Sequence, residues 1–188
     1  MAEIASATAV ARTVADALEA ARVPYAIGGA IAYGMYGPPR ATNDVDVTVF
    51  VDAGRLAPVF DALAGIGATL DRGAAAARAH DRGDFQATVG GLRVDVFVPS
   101  IPFYESAEKR VRRAVLGGRP VTILAPEDLA VFKLLFFRTK DVLDLERLVA
   151  IQGGTLDAGY VRRWIVDMCG ENDARVKRWD AIVATARP

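Results

Sequence analysis

The sequence has few of the residues on which several common kinds of protein site depend. Its 188 residues include one cysteine, Cys169, and one histidine, His80. An internal disulfide and a cysteine-rich zinc site are therefore excluded, and so is any mechanism that needs two histidines. Basic and acidic residues both number 23, so no net charge draws the chain to nucleic acid or to a membrane surface.

Long apolar segments are also absent from the sequence. No run approaches the roughly 18 apolar residues of a membrane-spanning helix. Near the N-terminus, Glu3 stands where a signal peptide carries a basic residue, and Arg12 and Asp16 interrupt the apolar stretch. Apolar residues make up 52% of the chain and charged residues 24%, as in globular proteins. These features predict a soluble, cytoplasmic protein with no membrane partner.

Strand and helix patterns mix in the first two-thirds of the chain, and helical patterns alone fill the rest. The predicted strands are 23–27, 45–51, 85–89, 92–98 and 120–124, and the predicted helices are 3–21, 30–36, 53–64, 126–138, 141–152, 157–168 and 172–185. Residues 71–83 lack a clear period and are interpreted as a loop or a frayed helix. The patterns predict an α/β or α+β fold, with a core over residues 1–125 and a helical part over 126–188, or else one single domain.

Two carboxylates stand two residues apart at the start of a β-branched segment. Because side chains alternate along a strand, Asp44 and Asp46 project from one face, while the valines between and after them project from the other. Carboxylate oxygens side by side suit Mg²⁺, which completes its coordination with water and substrate oxygens. Such a pair on a strand is, by itself, more often a solvated face than a metal site.

A second strand repeats this pattern around one further carboxylate. Asp95 alternates with Val94 and Val96, so its side chain lies opposite to a valine face. Gly90-Gly91 is typical of a two-residue hairpin turn, which places Gln86 opposite Asp95. If the two strands are neighbours, Asp95 joins Asp44 and Asp46. Such a set can hold two metal ions, which activate an attacking oxygen and neutralise a leaving phosphate.

A pair of glycines, Gly28 and Gly29, precedes the helix predicted from Ala30. The free N–H groups and the dipole at a helix N-terminus favour a phosphate. Without Cβ atoms, the glycines let the backbone approach that phosphate closely. An isolated Gly-Gly step is, however, usually only a turn.

Taken in order, these motifs resemble those of the DNA polymerase β nucleotidyltransferase superfamily. The motifs are Gly28-Gly29, then Arg40-x-Thr42-x-Asp44-x-Asp46, then Asp95, then Lys133 followed by Asp141-x-x-Asp144. Within the superfamily, the chain is most similar to minimal nucleotidyltransferases and AbiEii-type nucleotidyltransferase toxins, over about residues 25–149. The resemblance implies a nucleotidyltransferase fold, with a mixed β-sheet flanked by helices and a helical C-terminal part.

The resemblance assigns the first two motifs to nucleotide binding. It implies that Gly28 and Gly29 cradle the triphosphate, and that Arg40 and Thr42 shape the start of the strand and touch the nucleotide. One position departs from the pattern, because many members have serine after the glycine where this chain has Gly29 and then Ala30. A hydroxyl that often contacts phosphate is therefore missing.

The remaining motifs are assigned to catalysis by the same resemblance. Asp44, Asp46 and Asp95 would bind two Mg²⁺ ions, with Mn²⁺ as an alternative, and Asp95 would help to deprotonate the acceptor hydroxyl. Lys133 would contact the triphosphate of the NTP. Asp141 would support the site or position the acceptor.

The resemblance implies transfer of a nucleoside monophosphate from an NTP to an acceptor, which is a tRNA end, a protein or a small molecule. A toxin with an antitoxin partner is a plausible biological role. The alternative is a catalytically inactive nucleotide-binding or scaffolding protein with the same fold. A third hypothesis is a nucleic-acid-binding regulator that uses the basic run Arg110–Arg113 and the C-terminal helices.

Structural alternatives also exist for the later motifs. Lys133, on an otherwise apolar helix face, could extend its ammonium group to solvent. Lys140 and Asp144 are spaced as a stabilising pair on a helix surface. Asp141 could be the N-cap of the helix predicted from residue 141.

Overall fold

The computed structural model describes residues 6–186, which form two compact units. The first unit contains the chain up to Ile31 together with Arg40–Leu124. The second contains Ala32–Pro39 and the chain from Ala125 onward. The short segment Ala32–Pro39 therefore belongs with the C-terminal helices, although it lies between two strands of the first unit.

Within residues 6–186, the first unit is built on a six-stranded mixed sheet with the order β3-β4-β2-β1-β6-β5. Its strands are β1 (Tyr25–Ile27), β2 (Asp44–Val49), β3 (Asp84–Val89), β4 (Leu92–Phe97), β5 (Arg112–Leu116) and β6 (Arg119–Ile123). The pairs β2·β4 and β1·β6 are parallel, and the other neighbouring pairs are antiparallel. The parallel pair β2·β4 is the one that carries the predicted carboxylates.

Helices accompany the sheet in the first unit. They are α1 (Ala7–Ala20), α2 (Gly29–Tyr33, which runs on into the second unit), α3 (Ala57–Gly65), α4 (Arg72–Arg82) and α5 (Phe103–Arg110), with a 3-10 turn at Ala53–Arg55. Helix α1 buries Val10, Val14 and Leu18, which share a face because they are four residues apart. Ser6 caps this helix by accepting a hydrogen bond from the amide of Ala9.

The second unit is helical. Its main elements are α6 (Pro126–Phe136), α7 (Thr139–Gln152), α8 (Ala158–Cys169) and α9 (Ala174–Thr185). Leu134, Leu148 and Trp179 are among the fully buried side chains of its core. The Trp179 indole also donates a hydrogen bond of 3.1 Å to the carbonyl of Ala158, so its polar atom is satisfied inside the core.

The structure confirms the predicted fold class and most predicted elements. The strands around the carboxylates, the Gly90-Gly91 hairpin and the four C-terminal helices are all present. The N-terminal helix begins at Ala7, and its predicted positions 3–5 lie outside the described residues. Nowhere in residues 6–186 is there a helix both long and apolar enough to cross a membrane.

Residues 71–83 differ from the prediction, since most of them form the regular helix α4. The Asp71 side chain caps it by accepting a 3.0 Å hydrogen bond from Ala74, and Gly83 ends it in the left-handed conformation with φ of 73°. Only the small side chains of Ala75 and Ala79 are buried. Because the segment is rich in alanine, its sequence shows no helical spacing of apolar residues. The interpretation of residues 71–83 as a loop or a frayed helix is wrong.

The patterns also missed α5 and the first strand of the hairpin formed by β5 and β6. Gly117 and Gly118 make its turn with φ of 55° and 82°, much as Gly90 and Gly91 do with 57° and 81°. The sequence predicted only the second strand of this hairpin. Strand β5 lies at the edge of the sheet and is mostly exposed, so it does not show the apolar alternation of a half-buried strand.

Candidate active site

The three predicted metal-binding carboxylates lie on one face of β2 and β4. In the parallel register of these strands, Asp46 is the partner of Asp95, and Asp44 is the partner of Arg93. Partner residues on neighbouring strands project to the same side of the sheet. The valines between them are buried on the other side. We call the set of Asp44, Asp46 and Asp95 the carboxylate face.

Arg93 bridges two members of the carboxylate face. Its Nη2 lies 2.8 Å from Oδ2 of Asp44, and its Nε lies 3.0 Å from Oδ2 of Asp95. The charge of Asp95 is the largest cause that raises the pKa of Arg93 above its usual value; burial opposes the shift, and the charge and hydrogen bond of Asp44 add to it. The Arg93 side chain is nevertheless 55% exposed. A cation of the chain itself therefore neutralises these carboxylates from the solvent side.

The other oxygens of the same two carboxylates also accept hydrogen bonds. The Thr42 hydroxyl donates to Oδ1 of Asp44, and Nε2 of Gln86 donates to Oδ1 of Asp95 over 2.8 Å. Gln86 lies opposite Asp95 in the hairpin register, as the sequence predicted. With Arg93 bonded to both Oδ2 atoms, all four oxygens of Asp44 and Asp95 are held in place by side chains.

The two predicted glycines lie directly against the third carboxylate, Asp46. The Gly28 amide donates a 2.9 Å hydrogen bond to the carbonyl of Asp46. Gly29 has φ of +53°, and a Cβ atom built on it would lie 1.7 Å from Oδ2 and 2.4 Å from Cγ of Asp46. Only glycine therefore permits this approach of the backbone to the Asp46 carboxylate. Helix α2 begins at Gly29 and is only five residues long.

The chemistry of the carboxylate face suits a hard divalent cation, although its side chains are arranged around an arginine. Carboxylate oxygens are the ligands that Mg²⁺ prefers in proteins. Across the part of the chain that the structure describes, no three acidic, histidine or cysteine side chains are arranged to hold a metal ion. Instead, one oxygen of Asp44 and one of Asp95 accept hydrogen bonds from the guanidinium of Arg93.

In the second unit, Lys133 is buried among acidic and aromatic side chains. It is 4% exposed, and its Nζ lies 2.7 Å from Oδ2 of Asp144, 3.7 Å from Oδ1 of Asp141 and 5.3 Å from the centre of the Tyr33 ring. The alternative in which Lys133 reaches solvent is therefore wrong. Asp144 is only 2% exposed and pairs with Lys133, so the interpretation of Asp144 and Lys140 as a surface pair is also wrong.

Asp141 is buried as well, and it holds the start of α7. It accepts hydrogen bonds from the backbone amide of Arg138 at 3.2 Å and from Nε and Nη2 of the same residue at 2.6 and 3.2 Å. Arg138 is the N-cap of the helix, and Asp141 is its third residue in a capping box. The alternative of Asp141 as the N-cap is therefore wrong by three positions, although the residue does stabilise this helix start.

The structure distributes the predicted site residues between the two units. The first unit brings together Gly28, Gly29, Thr42, Asp44, Asp46 and Asp95, and it also contains the half-buried Arg40. The second unit contains Lys133 and Asp141. Sequence reasoning missed Arg93 as a partner of the carboxylates. Its signal was the two-residue spacing to Asp95, which puts both side chains on one face of β4.

Comparison with known proteins identifies the fold. No protein-family model matches the chain, and no curated protein sequence does so either. The crystal structure of ANT(2'')-Ia in complex with adenylyl-2''-tobramycin matches with a TM-score of 0.60 and 15% sequence identity, over 95% of this chain and 97% of that one. The solution structure of the antibiotic-resistance factor ANT(2'')-Ia matches with a TM-score of 0.56 and 14% sequence identity, over 95% of this chain and 89% of that one. The chain has a nucleotidyltransferase fold, as its sequence predicted.

Proposed function

We propose that this chain is a Mg²⁺-dependent nucleotidyltransferase, which moves a nucleoside monophosphate from an NTP to a hydroxyl group of a small molecule. The observation that carries the proposal is the carboxylate face on β2 and β4, in a chain with a nucleotidyltransferase fold. The small-molecule acceptor is supported by ANT(2'')-Ia, which shares the fold over nearly its whole length and forms a complex with adenylyl-2''-tobramycin.

Asp44, Asp46 and Asp95 would hold two metal ions, which would be Mg²⁺ or, in its place, Mn²⁺. When bound, such ions neutralise the triphosphate and lower the pKa of the attacking hydroxyl. The protein's own part is to position the ligands. Gly29 leaves the space that the Asp46 carboxylate occupies. The Thr42 hydroxyl orients the carboxylate of Asp44, and the side-chain amide of Gln86 orients that of Asp95. Asp95 would accept the proton of the acceptor hydroxyl.

The roles proposed for Lys133, Asp141 and Arg40 rest on the resemblance to the superfamily. Lys133 would place a positive charge at the triphosphate, Arg40 would contact the nucleotide, and Asp141 would support the site. The burial of Lys133 between two carboxylates supports a fixed position for its ammonium group, since a buried charge requires close partners. Asp144 would then be the residue that positions Lys133.

The test is transfer of label from each of the four NTPs, labelled at the α-phosphate, to aminoglycosides and to a cell extract in the presence of Mg²⁺. We expect labelled small molecules, and a loss of at least about 100-fold when Asp44→Ala and Asp46→Ala are combined. Asp52→Ala is the matched control, because Asp52 is an exposed residue of the same unit that pairs with Arg55. Transfer that survives the double substitution would overturn the site, and label on RNA or protein alone would overturn the acceptor class.

One observation favours a second candidate, a nucleotide-binding or scaffolding protein without turnover. Arg93 already neutralises Asp44 and Asp95, as it would in a site that no longer binds metal. This candidate predicts that the labelled NTP binds, in the presence of Mg²⁺ or Mn²⁺, without transfer to any acceptor. Transfer of label from the bound NTP to an acceptor therefore distinguishes the two candidates on the same samples.

A cytoplasmic toxin of the AbiEii type, with an antitoxin partner, is the biological role that we propose from the resemblance of the motifs. Induced expression of the chain in a bacterium should then arrest growth. The combination of Asp44→Ala and Asp46→Ala should remove the arrest at equal protein level, whereas Asp52→Ala should retain it. Normal growth with the unaltered chain, at a level where its transfer activity is detected in the extract, would exclude the toxin role.

A further inference from the structure

We propose that Arg93 is an internal competitor of the divalent cation, bound to Asp44 and Asp95 until a metal ion displaces it. The inference rests on the proposed function, because it concerns the same carboxylate face. It assigns to Arg93 a regulatory role, in which the guanidinium sets how much metal is needed before the site is complete.

The guanidinium of Arg93 forms a bridge between two neighbouring strands. The guanidinium donates through two different nitrogens, Nη2 to Asp44 and Nε to Asp95, so one side chain holds carboxylates from two strands. Thr42 and Gln86 already bind the remaining oxygens of these carboxylates. A metal ion that takes Asp44 and Asp95 as ligands must therefore compete for oxygens that Arg93 holds.

Arg93 is able to leave the two carboxylates. Its side chain is 55% exposed, so its guanidinium can move into water without opening the buried valine face of the sheet. Exposed ion pairs are weak, and two of them together correspond to about a three- to tenfold change in affinity. A competitor of this strength weakens metal binding and does not prevent it. A buried pair such as Lys133 with Asp144 would not exchange in this way.

The negative charges of the carboxylate face also favour a divalent cation over the guanidinium. Without Arg93, the charges of Asp44 and Asp95 repel each other across neighbouring strands, and a divalent cation relieves that repulsion. Removing the guanidinium should therefore raise the affinity for metal. A residue that helps to bind the metal or to support its ligands would have the opposite effect when it is removed.

The experiment measures the affinity of the purified full chain for Mn²⁺ from the electron paramagnetic resonance signal of the free ion. We expect Arg93→Gln to bind Mn²⁺ about three- to tenfold more tightly than the unaltered chain, and Arg93→Lys to lie between them. Arg78→Gln is the matched control. Arg78 pairs with Asp84 at 2.6 Å on β3 of the same sheet and is 42% exposed, so the control changes the net charge equally away from the carboxylate face. Adding Asp46→Asn to Arg93→Gln should weaken the binding again.

A second measurement follows the unaltered chain, and the substitution serves only to assign a signal. In a nitrogen-15 spectrum of arginine side chains, the Nε–H signal of Arg93 is identified by its loss in Arg93→Gln. We expect this signal to shift as Mg²⁺ is added to the unaltered chain, because the hydrogen bond to Asp95 is released, while the Arg78 signal stays unchanged.

The outcomes separate the inference from the proposed function. Saturable Mn²⁺ binding with equal or lower affinity in Arg93→Gln, or an Arg93 signal that does not respond to saturating Mg²⁺, would overturn the inference alone. No saturable binding in any variant would overturn the metal-dependent function and the inference with it. Saturable binding by both chains, about three- to tenfold tighter in Arg93→Gln than in the unaltered chain, would support both.

Discussion

The substitution Gly29→Ala tests the most specific contact of the candidate site. Gly29 has φ of +53°, and its α-carbon lies so close to Asp46 that an added Cβ would be 1.7 Å from Oδ2, 2.4 Å from Cγ and 2.8 Å from Cβ of that residue. Approaches under 3.0 Å are essentially never seen for real Cβ atoms. The carboxylate of Asp46 must therefore rotate away, or the two backbones must separate.

Two costs add up in this variant. An L-residue in the left-handed region costs about 1–2 kcal/mol. Forcing the Asp46 side chain off its rotamer costs a further ~0.5–1.5 kcal/mol. We therefore expect Gly29→Ala to lower the free energy of unfolding by about 2–3 kcal/mol. We also expect weaker Mn²⁺ binding, because the displaced carboxylate belongs to the carboxylate face.

Gly28→Ala is the matched control, one residue away in the same step. A Cβ at Gly28 would meet Cδ1 of Leu124 at 3.3 Å, the flexible end of a side chain, and Gly28 lies outside the left-handed region. We expect this variant to cost less than about 1 kcal/mol. Urea unfolding followed by circular dichroism gives both free energies, and Mn²⁺ titration gives both affinities.

A double-mutant cycle with Asp46→Ala isolates the clash itself. Asp46→Ala removes the atoms at 1.7 and 2.4 Å but retains Cβ at 2.8 Å, so it relieves most of the contact. Gly29→Ala should then cost about 0.5–1 kcal/mol less in the Asp46→Ala background. If the two effects simply add, or if Gly29→Ala costs no more than Gly28→Ala, the argument from close approach is refuted.

Three further predictions concern single charged or ionisable side chains. Lys133→Met should lower the free energy of unfolding by about 3–5 kcal/mol, because it leaves Asp144 buried without its cation. Adding Asp144→Asn should restore part of the loss. A loss below about 1 kcal/mol, measured by urea unfolding, would contradict this prediction. Burial raises the pKa of Tyr104 from 10.0 to about 12, so between pH 10 and 12 the folded state keeps a proton that the unfolded state loses. The free energy of unfolding should therefore fall by about 3 kcal/mol over that range because of Tyr104. Tyr104→Phe should lack this contribution, so its free energy of unfolding should fall by about 3 kcal/mol less than that of the unaltered chain. Burial alone would raise the pKa of Glu19, but hydrogen bonds from Arg113 and Tyr25 lower it below 4.5. Its stabilisation is therefore present above pH 4.5 and lost as pH falls, and Glu19→Gln should show a smaller dependence in acid unfolding.

The backbone of the first unit was predictable where the sequence alternates. Strands β2 and β4 carry valines at every second position, and this pattern decided which face Asp44, Asp46 and Asp95 occupy. Helix α4 was not predictable because alanine contributes little apolar contrast. Strand β5 was missed because a sheet edge needs no buried face.

Side-chain partners across strands were harder to predict than the strands themselves. The spacing of Arg93 and Asp95 shows that they share a face, but the bond from Arg93 to Asp44 depends on β2 and β4 being parallel neighbours in one particular register. Arg93 and Asp44 are 49 positions apart in the sequence. A shift of the register by a single residue would bring Arg93 opposite Val45 or Asn43 instead of Asp44 and remove the bridge.

The pairing of Lys133 with Asp144 was hidden by a different cause, the turn between α6 and α7. The sequence predicted a helix through residue 138, yet α6 ends at Phe136, and Phe137 takes the left-handed conformation with φ of 53°. For a bulky residue this conformation costs about 1–2 kcal/mol, so local preference argues against the turn. Its compensation is tertiary. The turn reverses the chain, so that Lys133 meets Asp144 eleven residues later at 2.7 Å, and it lets Arg138 and Asp141 close the capping box of α7. A helix continued to residue 138 would leave two buried carboxylates without these partners. The buried Lys133–Asp144 pair and the capping box of α7 therefore compensate for the cost of the left-handed Phe137.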